Sequence, residues 1–331
     1  MEEMQNLGIL DNQYILISLK SEDAFNFYYA ARDNQNQNDF IIEIRTNQIN
    51  NDNNKKINNI PANDFNILNT LNNANSPYIL HYIRNRNGPL VLKNQPPINV
   101  DYTIFENASK FNLGNYLNKE GFSERHSKLI FKKILTGVQA IHNSNICHRN
   151  ISPWHIMFDN ENYNPKLYCF NLSRLNANNL QEKVLFNKHY VPPEAISFKQ
   201  YDGFKYDIFS LGQLLFNLVT GQLGFNMALP EDHFYKFISR NDYEKYWGSK
   251  QFPGLNLSDS FKDLFLRMVA YDPDKRPTIV EVLNSEWMQD LNNLTQQQME
   301  ALENEVRAEL HNREAQFQRN EENQENQENQ E

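Results

Sequence analysis

The sequence predicts an α+β fold in two unlike parts, and three observations carry that prediction. Short apolar runs rich in β-branched and aromatic residues crowd the first hundred positions. After about Asn107, apolar residues recur instead at helical spacing. A chain of 331 residues that is 40% hydrophobic and 12% aromatic can also fill a sizeable core.

The strand-like runs are Tyr14-Ile15-Leu16-Ile17, Phe25-Asn26-Phe27-Tyr28-Tyr29, Phe40-Ile41-Ile42-Glu43-Ile44 and Tyr78-Ile79-Leu80-His81-Tyr82-Ile83. Polar Asn/Gln/Asp stretches at 33–39 and 46–59 separate them. One helix interrupts the strands, from about Asn63 to Leu71, with Phe65, Leu68 and Leu71 on one face. In the second part, Leu129, Ile130, Ile134, Leu135, Val138 and Ile141 form one amphipathic stripe. A second segment, through Ile208, Leu211, Leu214, Leu215, Leu218 and Val219, is apolar nearly all round and predicts a helix buried at the centre of its domain. Thr278 with Glu281 is a capping box opening a short helix. Thr295 to Gln298 caps a last helix carrying Met299, Leu302, Val306 and Leu310, expected to pack on the domain or on a partner. A Glu/Asn/Gln repeat follows, for which the composition predicts disorder. The divisions are an N-terminal extension (1–11), a β-rich lobe (12–106), a helical lobe (107–290), the amphipathic helix (291–319) and the tail (320–331).

A net charge of −9 without a dense Lys/Arg cluster argues against nucleic acid or an anionic membrane as the main partner. Two cysteines, Cys147 and Cys169, make no disulfide framework and suit a reducing compartment. The start, Met1-Glu2-Glu3-Met4-Gln5, lacks the features of a signal peptide, and no apolar run approaches the ~20 residues that span a bilayer. The expectation is a soluble, intracellular, cytoplasmic protein.

Five landmarks then occur in order. His148-Arg149-Asn150-Ile151-Ser152-Pro153-Trp154-His155 is followed by Cys169-Phe170-Asn171 and by Val191-Pro192-Pro193-Glu194. Tyr206-Asp207-Ile208-Phe209-Ser210-Leu211-Gly212 and Asp272-Pro273-Asp274-Lys275-Arg276-Pro277 complete the set. This series resembles the catalytic loop, metal-binding D-F-G triplet, A-P-E segment, central helix and closing D-P-x-x-R-P segment of the protein kinases. The resemblance covers residues 12–290, is most similar to the calcium/calmodulin-dependent serine/threonine branch, and implies the bilobal kinase fold. It implies structural roles for His148 and Phe170 in a hydrophobic spine, with Leu68 as a candidate third member. It further implies a buried ion pair between Glu194 and Arg276, an Asp207 that holds the catalytic-loop backbone, and an Arg149 that meets an activation-loop phosphate.

At the positions that carry the family's chemistry the residues differ. Ser21, Asp23 and Asn26 align with the three glycines that let backbone N–H groups approach phosphates. Glu43 aligns with the phosphate-gripping lysine and Asp64 with its glutamate partner. Tyr28 and Ile41 add bulk where the adenine enters. Asn150 stands for the catalytic aspartate, and an amide cannot serve as a base, whose help is worth ~10²–10⁴-fold. Ser152 stands for the γ-phosphate lysine, while His155, Cys169 and Asn171 stand for the metal-binding asparagine and the Asp and Gly of D-F-G. Mg²⁺ prefers hard oxygen donors, so imidazole and thiol are poor replacements. No Ser or Thr lies between Arg174 and Tyr190, which removes the usual activation-loop phosphosite.

What the resemblance implies, with these departures, is a pseudokinase: a protein-binding scaffold or allosteric regulator in signalling. Its partners would be proteins, such as an active kinase or a signalling complex, and no cofactor is expected. The alternative is an unorthodox serine/threonine kinase using ATP and Mg²⁺ through displaced cations, with Lys20 and Arg45 as the candidates. A soft-metal site from His155 and Cys169 with Glu43 nearby is a further idea, set against the simpler reading that these side chains fill a vacated pocket.

Overall fold

A computed structural model describes residues 7–22, 26–45, 65–93, 95–108, 111–117, 121–182, 187–197, 199–249 and 256–328. Six strands come first: β1 (Gly8–Leu10), β2 (Tyr14–Glu22), β3 (Asn26–Asp33), β4 (Asp39–Arg45), β5 (Tyr82–Leu92) and β6 (Ile98–Phe105). They close into a barrel in the order β1-β2-β3-β4-β6-β5, every pair antiparallel. Helix α1 (Phe65–Asn73) lies between β4 and β5 in sequence, and Asn72 ties it to β5 through both backbone groups of Tyr82, at 2.5 and 3.0 Å.

Period-two alternation divides the side chains of β3 and β4 between two cores. Tyr29, Ala31, Ile42 and Ile44 fill the barrel with Leu16, Leu90 and Tyr102. Their sequence neighbours Tyr28 and Ile41 point the other way and join the large core shared with the helical part. The barrel therefore presents Tyr28 and Ile41 to the junction where the candidate site lies.

The helical part contains α2 (Leu113–Tyr116), α3 (Glu124–Asn143), α4 (Pro193–Ile196), α5 (Gly203–Thr220), α6 (Tyr235–Ser239), α7 (Tyr243–Ser249), α8 (Asp259–Met268), α9 (Ile279–Leu283), α10 (Glu286–Asn292) and α11 (Gln296–Glu328). Between α3 and α4 run the short strands β7 (Ile146–Cys147), β8 (Ile156–Phe158), β9 (Pro165–Leu167) and β10 (Arg174–Leu175), pairing as β7–β10 and β8–β9. Helix α5 is buried over most of its circumference, as its sequence predicts; Asp202 caps its start, and Gly221 ends it at φ 68°, where a side chain would be strained. The Thr278/Glu281 box at α9 and the Thr295/Gln298 pair at α11 both form.

Four boundaries differ from the sequence reading. Residues Gly8–Leu10 belong to the barrel rather than to an extension, because β1 pairs with both β2 and β5 and closes it. A three-residue strand is too short to show a period. The Tyr78–Ile83 run yields strand only from Tyr82; Ile79 instead bridges Leu167 of β9, and its burial comes from that contact. Strand β6, with apolar residues interrupted by Asp101 and Thr103, lacked an apolar run long enough to notice. Helix α11 continues to Glu328, into the repeat read as disordered, where Glu and Gln are good helix formers.

Helix α11 packs on the domain. Leu302 and Leu310 are fully buried and Val306 nearly so. Arg313 donates to the carbonyls of Tyr116 and Gly121 at 2.9 and 2.5 Å and lies over the Phe122 ring, while Phe317 meets Phe111 at 5.0 Å. Among the described residues no helix is long and apolar enough to cross a membrane.

Candidate functional site

The site is assembled on a frame of buried polar contacts. Asp207 of α5 accepts the backbone N–H groups of His148 and Arg149 at 2.8 and 2.7 Å. His142 of α3 reaches the same carboxylate at 2.9 Å. Arg149 sits at φ 60°, an unusual value for a side chain of that size, and the two Asp207 bonds help hold it there. His148 is wholly buried, and burial pushes its imidazole down to about 4. The neutral ring accepts from the Asn150 N–H at Nδ1 (3.2 Å) and donates from Nε2 to the Tyr168 carbonyl (3.1 Å). Its ring meets Phe170 at 4.9 Å, and Leu68 of α1 belongs to the same core.

Below this frame, Glu194 and Arg276 pair through two bonds of 2.6 and 2.8 Å. Arg276 also donates to the carbonyls of Ala270 and Lys205 and lies over the Phe209 ring at 4.9 Å.

The loop from His148 to His155 and the turn at Cys169 bring five substituted positions together. Asn150 Nδ2 lies 3.1 Å from Cys169 Sγ and 3.5 Å from Asn171 Oδ1, and Cys169 Sγ is 3.3 Å from that same oxygen. His155 Nδ1 donates to the Asn150 carbonyl at 2.7 Å, with Ser152 Oγ at 3.2 Å. All five are buried, and Cys169 adopts φ 69°. The cluster hydrogen-bonds largely within itself; among its described buried donors, Asn171 Nδ2 has no partner. Its amides and hydroxyl can give and accept hydrogen bonds, but none is a base of useful strength. His155, Cys169 and Glu43 do not come together as a ligand set: no group of three or more His, Cys, Asp or Glu suited to a metal occurs among the described residues.

Above the cluster, Tyr28 of β3 and Tyr168 meet edge to face, centroids 5.0 Å apart at 81°. Tyr168 Oη donates to the Trp154 carbonyl at 2.5 Å, and Asn26 Nδ2 donates to Tyr28 Oη at 3.3 Å. Tyr28 is 1% exposed; Tyr168 and Ile41 are wholly buried. The two rings and Ile41 close the junction between barrel and helices. Tyr168 was not singled out from the sequence; its signal was an aromatic residue immediately before Cys169.

Of the remaining predicted positions, Ser21, Asn26 and Glu43 surround Tyr28 on β2–β4, with Glu43 directly across the ladder from it. Ser21 and Asn26 are strand residues, paired in register with Tyr28 and Arg45. Asp23, Phe25 and Asp64 fall outside the described residues. Glu43 is 4% exposed and, with Arg45, Phe65, Asn85 and Thr103, lines a cavity of about 300 Å³. The wall of that cavity contains none of Tyr28, Ile41, Tyr168 or Cys169, so it is separate from the polar cluster. Lys20 is a half-buried residue near the end of β2.

One contact went unanticipated. Arg149, whose side chain has no exposure, donates from Nη2 to Glu182 at 2.7 Å, and Arg174 Nε donates to the other oxygen of Glu182 at 2.9 Å. Both arginines hold the Glu182 carboxyl below its ordinary range against the opposing effect of burial. The signal was present: Glu182 is the sole Asp or Glu between Arg174 and Tyr190.

Comparison with known proteins gives a consistent answer. The chain is 34% identical over 184 residues to the probable serine/threonine-protein kinase HSL1 of Saccharomyces cerevisiae, covering 55% of this chain and 12% of that protein. It is 32% identical over 214 residues to the probable serine/threonine-protein kinase 2 of Plasmodium falciparum, covering 62% and 39%. It is 29% identical over 191 residues to the carbon catabolite-derepressing protein kinase of Secale cereale, covering 57% and 36%. The match thus spans well under half the length of each of these relatives. Residues 28–288 match the protein kinase domain, the same stretch that holds the Asp207 frame and the Glu194–Arg276 pair, and the chain belongs to that family.

Proposed function

We propose that this kinase domain is catalytically inactive and works as a pseudokinase, a protein-binding scaffold or allosteric regulator in intracellular signalling. The observation that carries this reading is the Tyr28–Tyr168 contact at 5.0 Å, with Ile41 buried in the same core, at the place where the resemblance puts the adenine. MgATP does not fit these residues. The base meets two rings, the aligned lysine is a buried carboxylate at Glu43, and the aligned metal ligands are His155 and Cys169, already engaged with Asn150. The partners proposed are proteins, an active kinase or a signalling complex, in the cytoplasm.

The second reading, an unorthodox serine/threonine kinase, draws on the intact frame: the His148–Phe170 contact and the Asp207 bonds are those a working site needs. It requires Lys20 or Arg45 to grip phosphate. Thermal unfolding across ATP concentrations, with Mg²⁺ and with chelator, separates the two. A bound nucleotide raises stability by RT ln(1 + [L]/Kd), about 2.7 kcal/mol at a hundredfold excess. Inactivity predicts no shift at millimolar ATP. A clear shift, with phosphate release lost on changing Lys20 or Arg45, would establish the kinase instead.

A further inference from the structure

Arg149 is anchored on a buried loop, between His148 and Asn150. Its backbone N–H is held by Asp207, its Nε donates to the Leu172 carbonyl at 2.7 Å, and its Nη1 donates to Tyr201 Oη at 2.8 Å. A guanidinium with no side-chain exposure needs a counter-charge, because an unpaired buried ion is strongly unfavourable. That charge comes from Glu182, on the loop that follows β10. Arg174, from β10 itself, takes the second carboxylate oxygen. Tyr201 Oη donates to the Glu182 carbonyl at 3.2 Å, and Leu180 and Tyr201 exchange backbone hydrogen bonds at 2.8 and 2.9 Å. Five contacts thus converge on residues 180–182 from three separate parts of the chain.

We infer that Glu182 is a permanent, genetically encoded clamp that fixes the 174–182 loop against the domain, so that this surface is displayed without any covalent modification. A carboxylate bridging two guanidinium groups satisfies both charges, and charge-assisted bonds of this kind are the stronger class. Without the carboxylate, Arg149 and Arg174 form a cationic pair, and the loop keeps its ties from Asn176 to Asn145, Ala177 to Gly203 and Leu180 to Tyr201 but loses its charged anchor at residue 182. The same pair would then take an oxyanion from solution. On the reading of the chain as a binding module, this constant surface is one a partner can use at all times. The clamp itself depends only on the contacts above.

Hydrogen exchange of the full chain, followed by mass spectrometry, tests this with Glu182→Gln. The expected result is exchange at least tenfold faster in peptides covering 174–182, with peptides from α3 and the barrel unchanged. Inorganic phosphate or sulfate should then raise the Tm of the variant and slow the exchange again, while leaving wild type unaffected. A merely structural hydrogen bond, which glutamine also supplies, would give neither the acceleration nor the anion rescue. If Glu182→Gln does not fold, Arg174→Met leaves the Arg149 bond in place and should give an intermediate acceleration confined to the same peptides. Unchanged exchange at 174–182 in the folded variant, or acceleration that anions do not reverse, would overturn the proposal. Nucleotide binding by wild type would sink the pseudokinase reading and leave the clamp standing.

Discussion

Replacing Tyr28 by valine tests whether the aromatic pair is what closes the junction. The ring is 1% exposed, meets Tyr168 at 5.0 Å and receives a hydrogen bond from Asn26. Aromatic-to-alanine changes in cores cost about 3–5 kcal/mol, and valine keeps part of the volume, leaving about 2–3 kcal/mol. The edge-to-face geometry adds about 0.5–1.5 kcal/mol. A total near 3–4 kcal/mol, at roughly 2 °C per kcal/mol for a large domain, lowers Tm by about 6–8 °C. Calorimetry measures that drop, and a double-mutant cycle with Tyr168→Leu isolates the ring–ring part. The vacated space should let Tyr28→Val combined with Ile41→Ala respond to adenosine where wild type does not. MgATP should add nothing beyond adenosine, because Glu43, His155 and Cys169 offer no grip on phosphates or Mg²⁺. A variant as stable as wild type would show that the rings do not pack as a plug. An MgATP shift well above the adenosine shift would show that the phosphates are held after all.

Three further outcomes follow from the packing. Glu194→Ala leaves Arg276 buried without its anion and should cost about 3–5 kcal/mol in urea denaturation; adding Arg276→Met should recover part of that loss, and additivity would speak against a coupled pair. Leu302→Ala with Leu310→Ala removes two fully buried side chains of α11 and should cost about 4–8 kcal/mol in total or release the helix to protease, whereas an unchanged Tm would mean the helix is not docked in solution. His126 of α3 contacts Glu309 and Glu305 of α11 at 2.5 and 3.5 Å, beside Arg125 on its own helix and Arg313 on α11. Its hydrogen bond to Glu309 raises its pKa above the ordinary 6.5. The stabilisation is therefore complete below about 6.5 and is lost as pH rises through the higher folded value. Tm followed from pH 6 to pH 8.5 should fall more steeply for wild type than for His126→Gln, and equal slopes would discard the linkage.

The parts of this chain legible in its sequence are those where one residue type has one physical solution. An aspartate within an apolar helix had to find donors, and Asp207 found two backbone N–H groups and a histidine. The stripes of α3 and α5 are long enough to show a period, whereas β1, with three residues, is not. Tyr28 was readable as bulk, but its partner Tyr168 was not. That pairing depends on the barrel meeting the β9–Cys169 turn, a contact spanning 140 positions of sequence. Glu182 was hidden for a different reason. Its charge is matched only once the fold brings Arg149 and Arg174 to it, from 33 and 8 positions away.

The buried polar groups divide by charge in a way that bears on the proposed function. Asp207, Glu194, Arg276 and Arg149 are acidic and basic residues whose partners come from distant segments of the chain. Asn150, Ser152, Cys169 and Asn171 are neutral, and their partners are largely one another or His155. A catalytic site that gathers carboxylates for Mg²⁺ carries a like-charge repulsion that the metal relieves. On the proposed reading, amides and a thiol stand where that arrangement would be, and they carry no such repulsion. Tyr28 and Tyr168 add apolar burial over the top of the same cluster. On the proposed reading, each of these residues favours a closed junction over the open one that nucleotide exchange would demand. A binding surface gains from that rigidity, since less ordering is needed when a partner docks.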